Sequence, residues 1–132
     1  DLKMTPKMKI IMVGNDQAET KQIKEILKGL GLNNVNITER GQPTMEYVIN
    51  HYRANGHVSL MICSSCYLCD EMSKMKEILK SKQIDFPVLF ITSRDRQDDL
   101  AKVMEDGYDN VLFKPYSQGD LIGMLNTIFQ GI

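Results

Sequence analysis

The chain has 132 residues, 42% hydrophobic and 25% charged, with a net charge of -1. That is one ordinary domain with enough apolar material for a core. The near-neutral balance leaves no basic footprint for nucleic acid, and no apolar run is long enough to span a bilayer, so neither is expected as a direct partner.

The opening "DLKMTPKMK" carries charge but no apolar stretch, which argues against a signal peptide. Residues 1–7 are expected to be linker at the cut end of a processed or excised piece, ahead of one domain over 8–132. "MKIIMVG" reads as a buried strand over 8–13, closed by glycine. In "DQAETKQIKEILKGLG", Ala18, Ile23, Ile26, Leu27 and Leu30 recur at helical spacing, and Gly29 and Gly31 stop the helix. "NVNIT" is a second short strand. "PTMEYVINHYRANG" is a second helix with Pro43 in its first turn and an apolar stripe of Met45, Val48, Ile49 and Tyr52.

"VSLMICS" is a third strand, from Val58 to Ser64, and the cysteine-bearing stretch after it is a loop. "DEMSKMKEILKSK" is a third helix with acids first and lysines last, the order that suits the helix macrodipole. "FPVLFIT" is a fourth strand, apolar throughout. "RDRQDDLAKVMEDG" is a fourth helix ending at Gly107, and "NVLF" a fifth strand. "SQGDLIGMLNTIFQG" is the final helix, with Leu121, Leu125, Ile128 and Phe129 on one side.

Strands alternating with helices in this way make an α/β domain whose parallel sheet is covered on both faces by right-handed crossovers. Such sheets bind at the carboxyl ends of their strands, beside the switch in strand order. The positions that matter are therefore Gly14 to Asp16, Ser64 to Cys66, Thr92 and Ser93, and Lys114 to Tyr116.

The segment "EDGYDNVLFKPYS" resembles the glycine-x-aspartate-x-x-hydrophobic-hydrophobic-lysine-proline-aromatic signature of response-regulator receiver domains, the CheY-like family of two-component systems. It places the signature lysine at Lys114 and the proline at Pro115. "FPVLFITSR" is similar to that family's fourth strand, with its hydroxyl residue at Thr92. The likeness runs from about Lys9 to Phe129. It implies a flavodoxin-like (βα)5 fold, doubly wound, with strand order 2-1-3-4-5.

An active receiver transfers a phosphoryl group to an aspartate at the end of strand three. Two acids after strand one help to hold magnesium, a hard ion that prefers oxygen ligands. A lysine and a hydroxyl neutralise the phosphoryl oxygens. On this pattern the phosphoacceptor position is Ser64, and the acid pair falls on Gly14 and Asn15. Asp16 lies one position later and is expected to cap the first helix. The aromatic switch position is Val111, and Leu68 stands where proline commonly follows the acceptor. With those acids gone, Lys114 is expected to bond backbone or Asn15, or to face water.

Cys63, Cys66 and Cys69 run as C-x-x-C-x-x-C, with no fourth cysteine in the chain. Zinc and iron–sulfur sites usually take four ligands. Reduced thiols and a cytoplasmic protein are expected, with no resident metal and no cofactor. Cys63 is expected to be a buried small hydrophobe pointing away from Ser64. His51 is expected to be solvated near a helix end, and the methionines to be core filler.

The expected function is that of a pseudo-receiver, a signalling module that binds proteins without aspartyl phosphorylation and is not an enzyme. Its partner would be a protein such as a kinase or an attached output domain. Tyr108, Tyr116 and Met124 are its candidate contact face, with Ile132 beside them on a nearly uncharged final helix. One alternative is an atypical receiver that uses Asp16, Asp70 or another acid. Another is a redox or metal sensor built on the three cysteines.

Overall fold

A computed structural model describes residues 7–14, 16–38, 44–64, 69–95, 100–101, 104–105 and 107–130. Among the described residues there are five strands: β1 (Ile10–Gly14), β2 (Val35–Thr38), β3 (Leu60–Ser64), β4 (Val88–Ser93) and β5 (Asn110–Lys114). They form one parallel sheet in the order β2-β1-β3-β4-β5, as expected. The helices are α1 (Gln17–Gly29), α2 (Thr44–Asn55), α3 (Cys69–Ser81) and α4 (Gln118–Gln130). Of the helix expected between β4 and β5, Leu100, Ala101, Met104 and Glu105 are described and helical.

Each central strand is buried on both sides because its alternate residues enter different cores. Ile10, Met12, Leu60, Ile62, Leu89 and Ile91 face one core, closed by Ile23 and Leu27 of α1 and by Leu121, Leu125, Ile128 and Phe129 of α4. Ile11, Val13, Met61, Cys63, Val88 and Phe90 face the other, with Val48 and Ile49 of α2 and Leu79 of α3. This double covering is why the strand segments read as almost unbroken apolar runs.

Helix ends follow local chemistry. Asp16 is the N-cap of α1, with extended backbone and Oδ1 accepting the Glu19 amide at 3.2 Å. At the other end Gly31 adopts φ +85°, and the Leu32 amide donates to the Leu27 carbonyl at 2.9 Å. That is the paired turn in which glycine tolerates a left-handed backbone. At α4, Ser117 Oγ accepts the Asp120 amide and Asp120 Oδ2 accepts the Ser117 amide, both at 3.0 Å.

Some expected boundaries and faces shift. β1 starts at Ile10 and β3 at Leu60, with Val58 buried ahead of the ladder. Ala18 is exposed; the buried stripe of α1 begins at Thr20, because the Asp16 cap sets which face meets the sheet. Ile26 and Leu30 are only partly buried against the core. Met45 has no described side chain.

Candidate functional site at the carboxyl edge of the sheet

The chain passes from β1 to β2 on one side and returns to β3 on the other, so the order reverses between β1 and β3. At their carboxyl ends Gly14 pairs with Ser64. Both are buried, and a Cβ on Gly14 would stand 3.1 Å from Thr20 Cγ2 and 3.3 Å from the Ser64 carbonyl. Absence of a side chain at residue 14 therefore lets the first turn of α1 close onto the β1–β3 seam. Asn15 and Cys66 lie outside the described residues.

Ser64 is 1% exposed, and its Oγ has no hydrogen-bond partner among the described residues. Buried hydroxyls are usually satisfied, so this one costs stability. Thr92 is also buried, at the end of β4, with Oγ1 donating a long bond of 3.4 Å to the Ser93 carbonyl.

Lys114 has a partner outside those expected for it. Its Nζ lies 2.9 Å from Oε2 of Glu19, and the two side chains are 24% and 13% exposed. The acid comes from the first turn of α1 rather than from the end of β1. Its backbone is anchored by the Asp16 cap, which leaves the side chain free to reach the end of β5. Glu19 sits among the polar residues between the apolar positions of α1, so no spacing signal singles it out.

Tyr108 is not part of a contact face. It is buried in the core, edge-on to Phe90 at 5.0 Å between ring centroids, with the Lys76 ammonium 4.4 Å above its ring. Met124 is half-buried against the α1–α4 core, and Ile132 lies outside the described residues. Val111 is half-buried against the other core. The aromatic residue of β5 is Phe113, two positions on and so on the same face of the strand. Phe113 pairs with Thr92 and carries the Arg94 guanidinium 4.3 Å from its ring centre.

Tyr116 is half-buried beside the ion pair. Asp16, Glu19, Lys114, exposed Pro115 and Tyr116 line a cleft of about 690 Å3 with Gln22. Burial chiefly, then the negative charges of Glu19 and Asp16, push the Tyr116 phenol up to about 12. A larger cleft, about 1030 Å3, lies at the opposite pole by the starts of β4 and β5, away from this chemistry.

Cys63 is buried in the α2–α3 core, on the face opposite Ser64. The Cys69 side chain lies outside the described residues. Among the described residues no group of three histidines, cysteines or acids could hold a metal. His51 is half-buried rather than fully solvated; burial, and then Lys9, lower its pKa.

No family model matches the chain. Solved structures similar to it, at low identity, include receiver domains. One is a chain of the co-crystal of the Saccharomyces cerevisiae histidine phosphotransfer protein Ypd1 and the receiver domain of its response regulator Ssk1. It matches with a TM-score of 0.69 and 13% identity, over 97% of this chain and 92% of that one. A CheY-like protein, tadZ, from Pseudomonas aeruginosa matches with a TM-score of 0.70 and 10% identity, over 92% and 98%. The beryllofluoride-activated NtrC4 receiver domain dimer matches with a TM-score of 0.71 and 15% identity, over 93% and 97%. The fold is therefore the CheY-like receiver fold. No helix among the described residues is long and apolar enough to cross a membrane.

Two outcomes follow from the site. Replacing Ser64 by Ala removes an unsatisfied hydroxyl and should raise unfolding free energy by about 1 kcal/mol in urea denaturation; a loss of that size would mean the hydroxyl is well bonded. The Tyr116 phenol ionises above its ordinary 10, so its neutral form favours the fold. That contribution is complete below pH 10 and lost as pH rises through about 12. The ultraviolet phenolate titration should lose a step near pH 12 in Tyr116→Phe.

Proposed function

We propose that this chain is a two-component-type signalling module that acts through protein contacts and is not switched by aspartyl phosphorylation. The observation that carries the reading is the residue at the end of β3. Where a receiver presents its nucleophilic carboxylate, this chain has the buried hydroxyl of Ser64. An acyl phosphate is an anhydride of a carboxylate, which a serine hydroxyl cannot form.

The surroundings support this. Gly14 has no carboxylate to offer a magnesium ion, and Thr20 packs where one would begin. Asp16 is exposed and already accepts a backbone amide as a helix cap. Lys114, which would neutralise a phosphoryl oxygen, faces Glu19 instead. Thr92, Lys114 and Pro115 stand where the receiver pattern has its hydroxyl, lysine and proline, which supports a receiver-type module.

On this reading the chain is a cytoplasmic binding module rather than an enzyme. Its partner is a protein, in the way that the Ssk1 receiver domain meets Ypd1. A kinase or an output domain attached to the same polypeptide fits that role.

The test is a two-dimensional amide spectrum recorded with and without beryllofluoride and magnesium. The expected result is no change. Shifts at Asp16, Ser64 and Lys114 would support instead an atypical receiver that uses an unexpected acid.

A further inference from the structure

The Glu19–Lys114 contact joins elements that are distant in the sheet. Glu19 starts the helix that follows β1, near the centre, while Lys114 ends β5 at the edge. Each partner is fixed on its own side. The Glu19 amide is held by the Asp16 cap. Lys114 is followed at once by Pro115, Tyr116 and the reciprocal Ser117–Asp120 cap that starts α4. The ion pair thus closes a continuous path from the start of α1 to the start of α4.

The Glu19 carboxylate is also confined. Its second oxygen, Oε1, is shut off from solvent and has no hydrogen-bond partner among the described residues. A carboxylate placed in this way gains by keeping its cation close, because a buried charge without a counter-ion is costly. Tyr116 packs against the α1–α4 core beside the pair, so movement of Lys114 would disturb that packing.

We propose that Glu19 is a built-in conformational lock, whose carboxylate holds Lys114 and the 114–117 turn in one fixed state. Receivers change state when a group arrives at this edge; here α1 supplies the anion permanently. The inference rests on the functional reading above, and deepens it by naming what sets the surface presented to a partner: the start of α1 and the turn into α4.

The experiment is amide hydrogen exchange on the whole chain carrying Glu19→Gln. The amides of Ser117, Asp120 and Leu121 are each hydrogen-bonded in the fold, to Asp120, to Ser117 Oγ and to the Ser117 carbonyl. Their exchange should speed up on the order of tenfold, while Ile11 and Ile62 in the central strands keep their rates. Lys114→Met, which leaves no unpaired ammonium behind, should give the same local pattern and serves if Glu19→Gln does not fold. Unchanged exchange at these three amides would overturn the lock. So would a uniform acceleration through the sheet, since the pair would then only stabilise the fold as a whole. No phosphoryl mimic is present, so a silent Glu19→Gln variant sinks the lock alone. Beryllofluoride shifts in the unaltered chain would sink the functional reading alone.

Discussion

A lysine at the carboxyl edge of a parallel sheet needs an anion. Lys114 sits where α1 and α4 both begin, and helix beginnings carry partial positive charge. At 24% exposure, water cannot fully compensate its ammonium. Glu19 answers this need. At 2.9 Å and an effective dielectric of about 20, the gross attraction is on the order of 6 kcal/mol, much of it offset by desolvation. In the first turn of α1 the same carboxylate also favours its own helix dipole. The contact links the start of α1 to the turn after β5 and the start of α4.

A second constraint makes that contact reachable. Gly14 lets Thr20 approach the β1–β3 seam, and Thr20 and Glu19 share the first turn of α1. One helix face therefore packs onto the sheet while the next reaches over its edge. A bulkier residue at 14 would push the turn outward. Gly14 and the Glu19–Lys114 pair thus both bear on the first turn of α1.

Much of the architecture was legible because doubly covered strands have a plain signature. Runs such as "MKIIMVG" and "FPVLFIT" leave few alternatives once helices alternate with them. Lys114 and Thr92 could be located because their strands fix them at the carboxyl ends. Glu19 was not legible from spacing alone. Side chains in a first turn point back toward the helix start, and their direction is settled only when the cap residue is known. Asp16 was expected to cap, but the consequence for Glu19 three residues on needs the sheet edge in place. Ala18 was misplaced for the same reason. Tyr108 misled because tyrosine beside a short strand suits a surface; its burial depends on Phe90 and Lys76, which are remote in sequence.

The account centres on mutual dependence between Glu19 and Lys114. A double-mutant cycle addresses it directly: urea unfolding of the unaltered chain, Glu19→Gln, Lys114→Met and the combined variant. A partly buried, closely spaced pair predicts a coupling free energy of at least about 1 kcal/mol, with the combined variant destabilised by less than the sum of the two singles. Additivity within roughly 0.3 kcal/mol would show that the two side chains do not depend on each other, and would contradict the account.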